Sequence, residues 1–314
     1  MTRILTEADV AAVLSLDDCI AAVEQAFRAY GEGRVPPPQR LGIHAEHGTF
    51  HIKAAMADVF AAKLNANFPG NRTRHGLPTI QGVILVVDPD RGTPLGILDS
   101  ALITTLRTAA ATAVAAKYLA RMDARTATVI GCGVQGRAQL EALKRVRTIE
   151  RVFAFDSDPA AAAAIAGAEL GTSLEEAVAQ SDVVLTCTTS RVPILDERHL
   201  HPGLFIAGVG ADNPEKHELA PALLAGSRIV PDIAEQAAKM GDLHHAIAAG
   251  VLTRDDIHGE LADVLCGRVP ARTSEEEIFV FDSTGTALQD VAAAAVALRR
   301  AAERGIGLEI ALTS

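Results

Sequence analysis

Residues 128–136 read Thr-Val-Ile-Gly-Cys-Gly-Val-Gln-Gly and decide the fold of this chain. The stretch begins as an apolar strand and runs into three glycines with the spacing G-x-G-x-x-G. The first glycine permits a tight turn, the second lets the backbone approach a pyrophosphate, and the third lets helix and strand pack closely. We predict that this turn binds a dinucleotide through Gly131, Gly133, Val134, Gln135 and Gly136.

The sequence after the glycine turn completes this pattern. A helical segment at 137–146 is followed by an apolar strand at 151–155, and Asp156 stands directly behind that strand. The helix N-terminus supplies free N–H groups and a partial positive charge for the phosphates. Asp156 is expected to accept hydrogen bonds from the adenosine ribose hydroxyls. Because its carboxylate repels a 2′-phosphate and no Arg directly follows it, NAD(H) is favoured over NADP(H).

Composition bounds the class of protein. The chain has 314 residues, is 49% hydrophobic and carries a net charge of −10. Nucleic acid is not an expected partner, because its phosphates require a basic surface. No apolar run is long enough to span a membrane. The Cys residues show no metal-ligand or disulfide spacing, and the N-terminus lacks the apolar core of a secretory signal, so a cytoplasmic protein without a bound metal is expected.

Two regions differ in their pattern of secondary structure. Short strand-like runs separated by turns occupy 40–87, after a predicted helix at 6–30, which indicates an antiparallel sheet with helices. From 127 onward strands and helices alternate, which indicates a Rossmann-type, doubly wound parallel sheet. We predict an α/β protein with an α+β substrate and dimerisation domain at 1–121 and a nucleotide domain at 122–284. The final segment, 285–314, carries a helix expected to return to the first domain.

Two predicted strand ends lie where the nicotinamide of a bound cofactor is expected. Thr188 lies in Leu185-Thr-Cys-Thr-Thr-Ser190, whose hydroxyls and N–H groups can line the cofactor. Val209 and Asp212 lie in Ala207-Gly-Val-Gly-Ala-Asp212, whose glycines allow close approach. Asp212 is a candidate catalytic carboxylate. Its alternative role is to cap the turn beside Asn213-Pro214, where Asp is common.

Four cations of the first region occur in apolar surroundings: Arg40, Lys53, Lys63 and Arg107. Arg107 is the most unusual, because its predicted helix is otherwise built of small or apolar residues, and such an Arg is usually paired or binds an anion. Each of the others alone is more often a strand-edge Lys or a solvated Arg. Together they form a set that can bind a small carboxylate substrate.

These residues and several longer segments resemble the ornithine cyclodeaminase/μ-crystallin family, and the likeness covers nearly the whole chain. Besides the cations and the glycine turn it is carried by Leu77-Pro-Thr-Ile-Gln-Gly82, the helix 106–121, Gly208-Val-Gly-Ala-Asp212 and Phe281-Asp-Ser-Thr-Gly-Thr-Ala-Leu-Gln-Asp290. The resemblance implies a homodimer joined through the first domain, with a Rossmann domain that binds NAD(P).

The resemblance also implies roles for individual residues. Arg40, Lys63 and Arg107 match the residues that hold the substrate carboxylate. Lys53 matches a further active-site lysine, and Asp212 matches the carboxylate near the reacting amine or imine. We therefore predict Lys63, Asp212 and Lys53 as catalytic residues.

The resemblance leaves several activities open: ornithine cyclodeaminase, alanine dehydrogenase, and reductases of ketimines and Δ1-pyrroline-2-carboxylate. Leu64-Asn-Ala-Asn-Phe-Pro69 and Leu98-Asp-Ser-Ala101 depart from the Tyr-Val-Asn-Gly-His-Pro-like and Glu-Met-Thr stretches of the cyclodeaminases. The departure favours hydride transfer to a small 2-imino acid, or the reverse oxidation of an L-amino acid.

Three other functions remain as alternatives. Ornithine cyclodeaminase converts ornithine to proline and ammonia. A non-catalytic NAD(P)H-binding protein would keep the glycine turn and have no need of the cations. A 2-hydroxy acid dehydrogenase would use His217, five positions after Asp212, as its acid, although His217 is more simply a surface helix residue.

Overall fold

The computed structural model describes residues 1–312 and divides into two compact units. Unit 1 comprises Met1–Arg107 and the segment that starts at Thr286, and unit 2 comprises Thr108–Gly285. The strands are β1 (Thr2–Leu5), β2 (Gln39–Ala45), β3 (Gly48–Met56), β4 (Phe60–Asn67), β5 (Ile80–Val87), β6 (Pro94–Asp99), β7 (Thr126–Ile130), β8 (Arg151–Phe155), β9 (Val183–Thr186), β10 (Phe205–Gly208), β11 (Arg228–Pro231), β12 (Phe279–Asp282) and β13 (Leu308–Ile310). The α-helices are α1 (Glu7–Val13), α2 (Leu16–Gly31), α3 (Asn71–His75), α4 (Ala101–Leu119), α5 (Val134–Val146), α6 (Pro159–Ala163), α7 (Leu174–Ala179), α8 (Pro221–Ala225), α9 (Ala234–Ala237), α10 (Asp242–Ala248), α11 (Leu261–Leu265) and α12 (Ala287–Arg304).

Unit 1 is built on a seven-stranded sheet in the order β13-β1-β6-β5-β4-β3-β2. Strands β2 to β6 form an antiparallel meander, and β1 runs parallel to β6 and antiparallel to β13. Helix α12 packs on β3, β4 and β5 and also contacts α2. Because side chains alternate along a strand, one face of the meander looks toward α12 and the other looks away from it.

The prediction of one continuous helix at 6–30 is wrong, because two helices, α1 and α2, occupy this stretch. Thr6 caps α1 and exchanges hydrogen bonds with Asp9, and Ser15 caps α2 in the same way with Asp18. Each is a capping box, in which a side chain and a backbone N–H satisfy each other. The second capping box starts a new helix directly after Leu14. The break between α1 and α2 cannot be seen from hydrophobic periodicity alone.

Unit 2 is built on a six-stranded parallel sheet in the order β11-β12-β10-β9-β7-β8. The chain moves outward from β7 to β8 and then returns to the other side of β7 with β9. This reversal is the topological switch point at which open α/β sheets bind ligands. The predicted fold class, a Rossmann-type doubly wound sheet with a second α+β domain, is confirmed by this architecture.

The core of unit 2 lies on the faces of this sheet and under its short helices. Val184, Ile206 and Val280 from three neighbouring strands are buried with Leu223 and Leu243 from α8 and α10. Helix α6 ends at Ala163, inside the Ala-rich run 160–164. Strands β11 and β12 were not predicted from the sequence.

The division between the units falls at Arg107 and Thr108, inside α4, whereas the sequence placed the domain boundary after residue 121. A helix continues as long as its backbone hydrogen bonds do, whichever core its side chains join, so its end does not mark the division. Within residues 1–312, no helix has the length and apolar character needed to cross a membrane.

Candidate functional site

The glycines of the turn after β7 lack a side chain for three different reasons. Gly131 has φ +89°, in the left-handed region, and a Cβ there would lie 2.8 Å from the Cys187 carbonyl. At Gly136 a Cβ would lie 2.0 Å from the Gly131 oxygen, so this glycine lets α5 pack on the turn. A Cβ at Gly133 would meet no atom within 4 Å. Packing does not require a glycine there, so the open space fits the close approach of a phosphate.

The first turn of α5 offers backbone donors to such a phosphate. Gly133 is its N-cap and has no side chain to accept a hydrogen bond from the first helical turn. Val134 is the first helical residue and is 62% exposed, and the Gln135 side chain accepts a hydrogen bond from Gln139 at 3.4 Å. Free N–H groups at the start of a helix bind anions well. The turn and the helix therefore have the chemistry of a dinucleotide site.

Asp156 lies directly after β8 beside the glycine turn. One carboxylate oxygen accepts the backbone N–H of Cys132 at 2.7 Å, and the other accepts the backbone N–H of Asp158 at 2.9 Å. These contacts fix the direction of the carboxylate. The Ser157 hydroxyl also lies 3.5 Å from Oδ1. Because an ionised carboxyl group has about four acceptor positions, Asp156 can still accept a ribose hydroxyl.

The ends of β9 and β10 carry Thr188 and Val209, and the Val209 N–H donates to the Thr186 carbonyl at 2.9 Å. Glu218, which the sequence did not single out, ties these strand ends together. One of its oxygens accepts the Thr188 N–H and hydroxyl at 2.6 and 2.7 Å. The other accepts the Thr186 hydroxyl at 2.8 Å and the Gly210 N–H at 2.7 Å. Each oxygen thus accepts one backbone N–H and one hydroxyl, which is an arrangement that only a carboxylate can satisfy fully.

Two more buried carboxylates support the segment that ends at Glu218. Asp242 accepts the backbone N–H groups of Glu218 and Leu219 at 2.8 and 2.9 Å. Asp282, at the end of β12, accepts the Leu243 N–H at 2.9 Å. Burial raises the pKa of Asp282 to about 7 and, together with the neighbouring Asp282 and Glu218, raises the pKa of Asp242 well above its ordinary value. Their hydrogen bonds show that both side chains accept backbone N–H groups within the protein core.

In unit 1, three of the four predicted cations stand in one row on the face toward α12. Arg40 on β2 is directly opposite Lys53 on β3, and Lys53 is opposite Lys63 on β4. Directly opposite residues share a face, with Cβ atoms about 4.5–5.5 Å apart. The hairpin register therefore places the three cations side by side, and Ile84 continues the row on β5.

The fourth cation, Arg107, meets Lys63 at a buried carboxylate on α12. The Lys63 amine lies 2.6 Å from Asp290 Oδ1, and the Arg107 Nε lies 2.9 Å from the same oxygen. Arg107 also donates to the Gln289 side-chain oxygen, and Lys63 donates to the Thr104 hydroxyl at 3.3 Å. Lys63 and Arg107 are only 2% and 4% exposed, so both charges lie out of bulk water.

Burial changes the protonation of this group. Desolvation lowers the pKa of Lys63 to about 7, with Arg107 and Lys53 acting in the same direction and the Asp290 carboxylate opposing them. Burial alone would raise the pKa of Asp290, but the cations Arg107, Lys63 and Lys53 lower it overall. Lys63 is therefore an amine whose protonation changes near neutral pH, as acid–base catalysis requires.

Asp212 and His217 lie in a loop after β10. The Asp212 side chain is 55% exposed and accepts a hydrogen bond from the Lys216 amine at 2.7 Å. His217 is half-buried, stacks on His245 at 3.9 Å between ring centroids, and contacts the Leu219 carbonyl at 3.0 Å. The interpretation of His217 as a surface helix residue is wrong, because its loop folds back on α10. Burial lowers the pKa of His217, and the nearby His245 adds to this effect.

The side chains of Gln289 and Asp290, which pair with Arg107, were not predicted as site residues. Arg107 was predicted because it is a cation in an apolar helix, whereas Gln289 and Asp290 lie in the Ala-rich start of α12. The same signal, a polar pair inside an otherwise small-residue helix, would have found them. Glu218 gives no such signal, because it follows other charged residues in Pro-Glu-Lys-His-Glu, and only tertiary structure shows its burial.

A Rossmann-type unit with a glycine turn, and a second unit with a row of cations facing a buried acid, define the class of this protein. The statistical description of the ornithine cyclodeaminase/mu-crystallin family matches residues 1–305. The chain belongs to this family, so the resemblance inferred from the sequence is confirmed.

Solved structures of relatives share the fold over almost their whole length. An archaeal alanine dehydrogenase dimer with bound NAD is 37% identical, with a TM-score of 0.95 over 99% of each chain. The Δ1-pyrroline-2-carboxylate reductase of Thermococcus litoralis, in complex with NADH and L-proline, is 32% identical, with a TM-score of 0.92 over 98% of this chain and 100% of its own. The iminosuccinate reductase of Paracoccus denitrificans, in complex with NAD+, is 31% identical, with a TM-score of 0.91 over 99% of each chain.

Proposed function

We propose that this chain is an NAD(H)-dependent reductase of a small 2-imino acid, which in reverse oxidises an L-amino acid. The observation that carries this proposal is the convergence of Lys63 and Arg107 on one buried carboxylate, in the row of cations that includes Arg40 and Lys53. The names of the relatives support it, because alanine, pyrroline-2-carboxylate and iminosuccinate share a carboxylate beside a carbon bonded to nitrogen. The prediction made from the sequence agrees with these relatives.

In the proposed reaction Arg40, Lys63 and Arg107 hold the substrate carboxylate, and Lys53 adds positive charge beside it. An Arg guanidinium can bind a carboxylate through two parallel hydrogen bonds, which fixes its orientation. Fixing the carboxylate also fixes the adjacent C=N bond, and positioning of this kind can supply a large part of the rate enhancement. Unit 1 thus supplies binding and orientation.

Protonation makes the imine carbon reactive. The reduced nicotinamide, when bound, supplies a hydride to that carbon, and the nitrogen carries the proton that completes the amine. The protonated Lys63 amine is the proposed proton donor, and the Asp212 carboxylate is proposed to stabilise the iminium and then the product ammonium. In the reverse direction the neutral Lys63 amine takes up the proton.

The proposed cofactor is NAD(H) rather than NADP(H). Asp156 presents a fixed carboxylate at the end of β8, and Ser157, Asp158 and Pro159 supply no cation next to it. A 2′-phosphate at this place would meet a negative charge without a compensating Arg. Gly131, Gly133, Val134, Gln135 and Gly136 are proposed to hold the pyrophosphate, and Thr188 and Val209 to line the nicotinamide end.

We propose that two copies of the chain associate through the face of the unit 1 sheet that looks away from α12. Leu41, Ile52, Leu64 and Val83 form a row across β2 to β5 on this face, directly opposite one another in register. Leu41, Leu64 and Val83 are 54%, 41% and 44% exposed. An exposed apolar surface of this kind marks an interface, and a self-complementary sheet face suits a twofold dimer.

A substrate panel tests the activity. NADH and NADPH oxidation is measured with Δ1-pyrroline-2-carboxylate, Δ1-piperideine-2-carboxylate, pyruvate with ammonia or methylamine, and oxaloacetate with ammonia. We expect turnover with at least one imine and a preference for NADH. Proline release from ornithine and NAD without imine reduction would favour a cyclodeaminase, and turnover of pyruvate without amine would favour a 2-hydroxy acid dehydrogenase. Tight NADH binding without any turnover would favour a binding protein.

A further inference from the structure

The carboxylate of Asp290 is an acceptor on which two of the proposed substrate-binding cations meet. Lys63 comes from the middle of β4 and Arg107 from α4. Both cations contact a single oxygen, Oδ1, at 2.6 and 2.9 Å. Within residues 1–312, the second oxygen, Oδ2, is buried without a hydrogen-bond partner. One atom therefore sets the separation of the two cations.

Asp290 is itself held firmly in place. It lies in the first turn of α12, where the helix dipole stabilises a negative charge. The helix starts at the Thr286 cap, whose hydroxyl accepts the Leu288 N–H at 3.3 Å, and its buried face packs on β3 and β4. Asp290 is 2% exposed, so neither water nor salt weakens its attraction for the cations.

We propose that Asp290 is a positioning residue of the substrate site: its carboxylate holds the Lys63 amine beside the Arg107 guanidinium and favours the protonated form of that amine. This inference rests on the proposed function of Lys63 and Arg107 as substrate-binding groups. Asp290 acts through these two cations rather than on the substrate. Without it, two buried positive charges would face each other. Loss of the Lys63 proton would then cost less free energy than keeping both charges.

The charges around Lys63 fix the direction of the effect. Arg107 from α4 and Lys53 from β3 disfavour the charged amine, and Asp290 from α12 favours it. Desolvation by burial is the largest influence, and together with these charges it gives Lys63 a pKa of about 7. Removing the negative charge leaves only the opposing influences, so the pKa of Lys63 should fall further. A nearby opposite charge shifts a pKa by about 1–3 units, which sets the expected size.

The test compares wild-type protein with Asp290→Asn, which keeps shape and removes charge. The Lys63 pKa is followed by NMR of ¹³Cε-labelled lysine, with the signal assigned by its loss in Lys63→Arg. We expect a fall of about 1–3 units in D290N, together with an equal shift to lower pH of the basic limb of kcat/KM for imine reduction. Asp18→Asn is the matched control, because Asp18 pairs with Arg300 elsewhere in unit 1 and should leave both readouts unchanged.

The readouts separate the two proposals. An unchanged Lys63 pKa and pH profile in D290N would overturn the role of Asp290, whatever the substrate. A shifted NMR titration in a protein that reduces no imine would uphold Asp290 and contradict the proposed function. If D290N does not fold, Asp290→Glu replaces it: we expect the Lys63 pKa within about one unit of wild type and kcat/KM at least about 10-fold lower, because the carboxylate is displaced. Wild-type kcat/KM in D290E would overturn the inference.

Discussion

At the scale of single residues, Arg107 is the most direct test of substrate binding. We expect Arg107→Ala to lower kcat/KM by about 30-fold or more, which corresponds to the 2–5 kcal/mol typical of losing a buried charged partner. Binding of NADH should stay within about twofold of wild type, because the glycine turn belongs to the other unit. The measurements are steady-state kinetics and NADH fluorescence titration.

Arg34→Ala is the matched control for that substitution. Arg34 also pairs with an acid, Glu32, but is 63% exposed in its side chain, and exposed ion pairs contribute little. Its kinetics should equal those of wild type. Full activity of the Arg107 variant, with the fold intact by circular dichroism, would rule out the proposed carboxylate site.

Lys63 gives a pH dependence whose sign follows from its pKa of about 7. Its amine is protonated below this value and neutral above it. If the charged amine donates the proton, kcat/KM for imine reduction should fall as the pH rises through about 7, and amino acid oxidation should rise over the same range. Lys63→Arg should abolish this transition, because an arginine does not titrate in this range. A reductive profile that is flat between pH 6 and about 8.5 would contradict the role of Lys63.

At the scale of structural elements, two glycines of the same turn should respond differently to a methyl group. Gly136→Ala would place Cβ 2.0 Å from a backbone oxygen and should lower stability by about 1–3 kcal/mol through overpacking. Gly133→Ala meets no protein atom within 4 Å and has φ −66°, so the fold should be unaffected. Its Cβ would, however, occupy the space proposed for the pyrophosphate.

We therefore expect Gly133→Ala to keep the wild-type Tm and to weaken NADH binding by at least about 10-fold, which is roughly 1.4 kcal/mol. Gly136→Ala should mainly lower the Tm, with a smaller effect on NADH affinity. Differential scanning fluorimetry and isothermal titration calorimetry measure the two quantities. Unaltered NADH affinity in Gly133→Ala would show that the pyrophosphate does not lie at this turn.

The same elements show what sequence patterns can and cannot reveal. The glycine turn, β7 and α5 were predictable, because their signals are local: spacing, periodicity and an acid after the next strand. The break between α1 and α2 was missed because the apolar residues Leu14 and Leu16 continue the helical pattern on both sides of the Ser15 cap. The partners of Lys63 and Arg107 were missed because Asp290 lies 227 positions after Lys63 and 183 positions after Arg107 along the chain.

At the scale of the whole molecule, the exposed apolar face of the unit 1 sheet predicts the oligomeric state. Leu64 lies in the middle strand of that face, and Leu64→Asp should convert a dimer into a monomer, because a buried charge without a partner is costly at an interface. Size-exclusion chromatography with light scattering gives the mass directly. Leu170→Asp is the matched control, since Leu170 is 52% exposed on unit 2. A wild-type monomer, or a dimer that tolerates Leu64→Asp, would contradict the proposed interface.

Neighbouring residues of β4 lie on opposite faces of the sheet. Lys63 points toward α12, and Leu64 points away from it. Inserting or deleting one residue ahead of them would invert the strand, sending lysine toward the second copy and leucine among the cations. Natural variation in this strand should therefore consist of replacements, while changes of length collect at hairpin tips such as Glu46-His47, where no ladder has to be kept.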